Sequence, residues 1–262
     1  MSAGLRGTLQ QEEGDETLSS RLTGPMWQRP ISATFSEPRS RVEQEHKARA
    51  FWDAKILSWE RKSYRQGQLW GLPLRWRRQL FLELVGQRLR GKTVFEMGCG
   101  SAGLLEDLFS RGIRSYVGCD ISTVAIHEAK NRAAALGLSH KVELVRADVL
   151  QMPKVSADFG FSLGLLDWLD DEEAAWLLAL APHFLHSFSE RRLTLSQLLH
   201  RAYVYCAYGN RDTSYVPRYR RSERIAEWSS GQGVRAPEFY RDSRMSFSTF
   251  AYCLPAPEPS SP

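Results

Sequence analysis

An apolar pair, Val94-Phe95, runs straight into Glu96-Met97-Gly98-Cys99-Gly100-Ser101-Ala102, and a helical stretch from Gly103 to Arg111 follows at once. A strand that passes through two glycines and re-enters a helix has to turn tightly. Glycine has no Cβ and adopts φ > 0 without strain, so backbone N–H groups in such a turn can approach a nucleotide-like ligand closely. The spacing also fits Gly98-x-Gly100-x-x-Gly103, the dinucleotide fingerprint, which on its own is a weak signal.

The charges around the turn select among ligands. No Lys or Arg lies between Thr93 and Ser110, while Glu96, Glu106 and Asp107 make the turn and its helix acidic. A pyrophosphate gains from a helix N-terminus and from nearby cations. A ligand that carries a sulfonium and an ammonium suits this acidic setting better. Glu96 is placed to accept from the loop's N–H groups or, through water, from the ligand's amine. The alternative is that Glu96 merely caps the turn.

Later strands repeat the pattern. Arg114 to Cys119 alternates into a short β-run that ends in Asp120, at the distance from the glycines where a carboxylate takes both ribose hydroxyls. Ile121 follows as a flank for the adenine, and Ser122 or Thr123 can cap a helix that ends near Gly137. A third strand, Val142 to Ala147, leads to Asp148-Val149, an acid for the adenine amino group and an apolar side chain for the base. A fourth, Phe159 to Leu163, opens into Gly164-Leu165-Leu166-Asp167-Trp168. Polar residues thus end each strand at one sheet edge, where open α/β sheets bind ligands.

The ordered set Glu96–Gly100, Cys119–Ser122, Arg146–Val149 and Asp158–Leu169 resembles motifs I to IV of the class I S-adenosylmethionine-dependent methyltransferases, over roughly residues 90 to 190. The layout is similar to small-molecule members of the ubiquinone and magnesium-porphyrin pathways. The resemblance implies an α/β, Rossmann-like seven-stranded sheet with a reversed final hairpin, and S-adenosyl-L-methionine as cofactor. It places Glu96, Gly98, Cys99 and Gly100 around the methionine part, Asp120 on the ribose, Ile121, Asp148 and Val149 on the adenine, and Leu163 beneath the sulfonium. Ala102 departs from the pattern, since many members have a third glycine there.

The chain's 262 residues, 42% of them hydrophobic, suffice for one well-buried α/β core and little more. Residues 1–40 and 255–262 are expected to be disordered tails, the first acidic and without an apolar period, the second rich in proline. The intervening chain divides into a helical cap, 41–91, and a methyltransferase domain, 92–254, with a lid at about 189–221. No signal peptide or bilayer-length apolar run is visible, and the four cysteines show no C-x-x-C spacing. These features predict a cytoplasmic enzyme with no metal site.

The cap holds an aromatic-rich helix with Phe51, Trp52, Ile56 and Trp59 at three- and four-residue spacing, and a second helix from Pro73 toward Gly91. In the methyltransferases that this chain resembles, such a helix folds over cofactor and substrate. The parallel lies in Phe51-Trp52, Trp59-Glu60-Arg61 and Tyr64, with Tyr64 expected at the cofactor. The alternative is that these aromatics only dock the helix on the sheet.

Methyl transfer from an activated sulfonium asks the protein mainly for proximity, orientation and exclusion of water. A base is needed only for an acceptor that keeps its proton at neutral pH. Asp167, four residues beyond Leu163, is the candidate; the alternative is a helix cap or lid anchor. His186 and His200 rank behind it. Arg218, Arg220, Arg221 and Arg224, near the expected substrate side, suit an anionic acceptor, or else form a solvated face. With no recognisable nucleic-acid-binding appendage, the expected substrate is a small molecule, methylated on oxygen and drawn from glycans, lipid-linked sugars or other anionic metabolites. A protein or nucleic-acid substrate, or a non-catalytic cofactor-binding module, is the alternative.

Overall fold

A computed structural model describes residues 38–64, 71–152, 155–192, 194–208 and 218–256. The expected tails therefore fall almost wholly outside the described residues.

Every second residue of the central strands goes to a different apolar layer, as the two-residue period of a strand requires. In β1 (Thr93–Met97), Val94 packs with one layer, while Phe95 and Met97 pack with the other. In β2 (Ser115–Asp120), Tyr116 joins the first layer, and Val117 and Cys119 the second. With β3 (Val142–Arg146), β4 (Phe159–Leu163), β5 (Phe184–Ser189), β6 (Glu238–Arg241) and β7 (Ser248–Cys253), they form a seven-stranded sheet of order β3-β2-β1-β4-β5-β7-β6. The first five strands pair in parallel; β7 runs antiparallel to both β5 and β6. This is the Rossmann-like arrangement with its reversed final hairpin.

Helices cover both faces. On one side, α2 (Leu72–Val85), α3 (Leu105–Ser110) and α4 (Thr123–Ala135) bury Leu80, Phe81, Leu105, Leu108, Ile126 and Ala129 against Phe159 and Phe161. On the other, α5 (Asp171–Leu178) and α7 (Ser222–Gly231) bury Ala174, Leu177, Leu178 and Ile225 against Phe184 and Phe188. The acids that open α5 form a capping box, since Asp170 Oδ1 accepts from Glu173 N and Glu173 Oε2 accepts from Asp170 N, both at 2.8 Å.

Two helices lie outside this frame. The long α1 (Pro38–Tyr64) packs on α4 and α2 at the carboxyl edge of the sheet, and α6 (Leu195–Tyr208) follows β5. The second cap helix is shorter than its proline and glycine signals suggest: it stops at Val85, where Gly86 takes φ +51°, and 86–91 form turns. Because β1 sits between β2 and β4, successive crossovers leave it in opposite directions. A crevice opens at that switch point, above the carboxyl ends of β1 and β4.

Candidate functional site

The glycine turn forms the floor of this crevice. Gly98 and Gly100 adopt φ +68° and +54°, and Gly98 N and Cys99 N donate to the carbonyl of Cys119 on β2. Ala102, at the position of the missing third glycine, also has positive φ, +52°, and is fully buried. The turn therefore keeps the left-handed step that a glycine would have made easier.

Four side chains from distant parts of the chain hold the turn's backbone. Asp120 Oδ2 accepts from Gly100 N at 2.9 Å while its Oδ1 accepts from Ser122 N. Glu60 Oε1, from α1, accepts from Ser101 N at 3.0 Å. Arg132 Nε donates to the Ser101 carbonyl at 3.0 Å, and Arg78 Nη2 donates to that of Gly103. A cavity of about 500 Å³ lies between the turn and α1, within the range of small-molecule sites. Of the expected cofactor residues, Tyr64, Glu96, Gly98, Cys99, Gly100 and Leu163 line it together.

The remaining expected residues lie at the edge. Asp120 reaches the cavity through Gly100. Asp148 caps a short turn by accepting from Leu150 N at 3.0 Å, and Val149 beside it is buried. Ile121, Asp148 and Val149 end β2 and β3, where α1 is tied down by two further acids. Asp53 Oδ1 accepts from Ser122 Oγ at 2.7 Å and from Val124 N at 3.2 Å, and Glu45 accepts from Gln151 Nε2. Helix α1 thus runs along the crevice from the ends of β2 and β3 to the glycine turn.

Glu96 has a different partner from the expected loop amides. It is buried and accepts from Tyr116 Oη at 2.6 Å; burial pushes its pKa up to about 8, against the pull of that hydrogen bond and of Arg78. Burial likewise raises Asp120 to about 6, although the Ser122 and Gly100 amides favour its ionised form. A cation seated beside these carboxylates would reverse part of that desolvation cost.

Asp167 sits in a closed setting. It is 9% exposed, and it does not line the cavity. One oxygen accepts from Ser189 N at 2.7 Å and the other from Ser189 Oγ at 2.8 Å. Burial raises its pKa, with the Ser189 hydrogen bonds and the charges of Arg77 and Arg220 working the other way. His186 is sealed in the core with Nδ1 against Ser162 Oγ, and burial lowers its pKa to about 3. His200 pairs with Tyr219 Oη at 2.6 Å.

Several contributors were hidden in the sequence. Arg77 and Arg78 lie well before the glycine turn in sequence, yet Arg77 is buried and donates to the Leu163 carbonyl, and Arg78 lines the cavity with its guanidinium over the Tyr64 ring. Arg220 is also buried, donating to the carbonyls of Leu166 and Leu169. The turn is acidic in sequence, yet the fold brings Arg61, Arg78 and Arg132 into its cavity. An arginine three or four residues from apolar positions of the same helix is the one local sign that it faces inward.

Residues 94–186 match the family described as "Methyltransferase domain". Among curated proteins, the chain is 39% identical over 64 residues to the ribosomal protein L11 methyltransferase of Haemophilus ducreyi, a stretch covering 24% of this chain and 22% of that protein. The chain therefore spans about a fifth of that relative. Among solved structures, it is similar to magnesium protoporphyrin IX methyltransferase from Synechocystis with bound S-adenosylhomocysteine, with TM-score 0.61, 20% identity and coverage of 81% of this chain and 100% of that one. It is also similar to the 1,6-didemethyltoxoflavin-N1-methyltransferase of Burkholderia thailandensis, with TM-score 0.56, 15% identity and coverage of 85% and 93%. At these identities the two structures establish the fold alone, a Rossmann-like methyltransferase fold.

Proposed function

We propose, for a chain whose residues 94–186 carry a methyltransferase domain, that it transfers a methyl group from S-adenosyl-L-methionine to a small molecule, through an oxygen on a glycan, a lipid-linked compound or another anionic metabolite. The observation that carries this reading is the cavity between the glycine turn and α1, where Glu60 and Glu96 meet Gly98, Gly100 and Leu163. Its residues fit the cofactor: acids face a cation, and the missing Cβ at Gly100, which would lie 2.4 Å from Glu60 Oε1, lets that carboxylate approach the turn.

When bound, the cofactor supplies a methyl group already activated by its sulfonium. The chain's own residues bind and orient. Each Asp120 oxygen keeps a lone pair beyond its amide bond for a ribose hydroxyl. Ile121, Asp148 and Val149 border the adenine end. Glu60 and Glu96 offset the positive charge, and Tyr64 with Trp59 closes the cavity against water. Asp167 enters as a positioning residue: through Ser189 it fixes the loop after β4 against β5, beside Leu163. For the acceptor, the two solved structures named above, whose own substrates are a magnesium porphyrin and a toxoflavin precursor, share this fold. The exposed Arg218 and Arg221 supply positive charge on the β5 side.

Calorimetry with S-adenosyl-L-methionine tests the site, and absence of binding overturns the whole reading. Labelled cofactor incubated with cell extract tests the acceptor: label in the small-molecule fraction is expected, and label confined to protein or nucleic acid overturns that choice.

A further inference from the structure

The first turns of helix α6 send polar side chains inward. There Gln197, 1% exposed, donates from Nε2 to the Glu190 carbonyl at 2.6 Å and accepts at Oε1 from Arg192 N at 2.9 Å. One turn on, His200 faces Tyr219 and the Phe247 ring. The outward positions are apolar. Leu195, Leu198 and Leu199 are 72%, 57% and 64% exposed, and Ala202 and Cys206 continue the same stripe in the open. A surface helix ordinarily turns its leucines to the core, so a leucine stripe on the solvent side marks a face that meets something apolar.

Charge identifies what that is. Arg191 precedes the helix, Arg201 lies on it with its guanidinium 4.7 Å from the Tyr219 ring, and Arg218 and Arg221 flank Tyr219 on the segment packed alongside. All four are exposed; Arg201 lies on α6 itself, while Arg191 and Arg221 line a cavity with Glu190 and Glu223 at the base of the helix. A leucine stripe on a helix that carries an arginine and has further exposed arginines on adjoining segments is the pattern of a helix that lies in the plane of an anionic lipid surface, with the leucines among the acyl chains and the arginines at the headgroups. No helix among the described residues is long and apolar enough to cross a membrane, so such contact is in-plane.

We infer that α6 docks this protein onto an anionic lipid surface through Leu195, Leu198 and Leu199, with Arg191, Arg201, Arg218 and Arg221 contacting the headgroups. The leucine face lies outside the cavity between the glycine turn and α1, so failure of lipid binding leaves the methyl-transfer reading standing, although Arg218 and Arg221 figure in both.

The test is co-sedimentation of the full chain with vesicles of phosphatidylcholine alone and of phosphatidylcholine mixed with phosphatidylglycerol. Binding to the mixed vesicles is expected, weakened by added salt and reduced at least tenfold in the double variant Leu198→Glu, Leu199→Glu. Both positions are exposed, so the variant should keep the wild-type circular dichroism and melting temperature. Absence of partition into either vesicle, or partition that the variant leaves unchanged, overturns the inference. Self-association through the leucines without lipid binding also overturns it, in favour of a second copy of the chain.

Discussion

Glu60 Oε1 and the Ser101 amide, which are 41 residues apart, meet at 3.0 Å, and this contact joins α1 to the glycine turn. The same oxygen closes the space above Gly100. The cavity is therefore completed from outside residues 94–186, the stretch that matches the methyltransferase domain.

Glu60→Ala removes both the closing hydrogen bond and an ionised partner for the ligand's positive charge. A charge-assisted hydrogen bond contributes about 1.5–3 kcal/mol, so affinity for S-adenosyl-L-methionine should fall about ten- to a hundredfold. Calorimetry measures it; unchanged affinity would mean that α1 plays no part in binding.

Asp120→Ala should abolish detectable cofactor binding. The variant loses the acceptor for Gly100 N and Ser122 N together with the ribose contact. The cost to the fold should be about 1–3 kcal/mol, from amides left without their acceptor. Binding at wild-type strength in a folded variant would remove Asp120 from the site.

Glu96 makes stability depend on pH in a direction opposite to that of a salt-bridged acid. Its folded pKa, about 8, lies above the unfolded value near 4.5, so the folded state holds a proton that the unfolded chain has lost. The contribution is fully present below about pH 4.5 and is lost as pH rises to about 8, at no more than about 1.4 kcal/mol per pH unit. Urea unfolding at pH 5 and pH 8 should show the wild type losing stability relative to Glu96→Gln. Parallel profiles for the two proteins would refute this.

Asp167 separates a positioning role from a proton-accepting one. If its part is to hold Ser189, then Asp167→Ala and Ser189→Ala should both lower the melting temperature and turnover together. Removing the buried carboxylate should cost about 3 kcal/mol, because it strands the Ser189 amide and the neighbouring guanidinium charges. A full melting temperature in Asp167→Ala with turnover lost, and a silent Ser189→Ala, would instead make Asp167 a base.

The strands, the glycine turn and the strand-end acids were legible because each is a local pattern. Period-two apolar residues form a strand wherever two faces are covered, a glycine pair marks a turn whatever surrounds it, and Asp120 lies one βαβ step from Gly100. Glu96, Gly98, Gly100 and Leu163 accordingly line one cavity at the strand ends. The sequence by itself thus determined the α/β frame and the edge at which it binds. Tertiary structure decided what closes that edge. Whether Arg77 faces solvent or the Leu163 carbonyl, whether Glu96 meets an amide or Tyr116, and whether the leucines of α6 point in or out depend on how far-separated elements pack. Spacing along the chain fixes which residues share a helix face, but the partner that face meets is set by the burial free energy of the whole fold, to which no single segment holds the key.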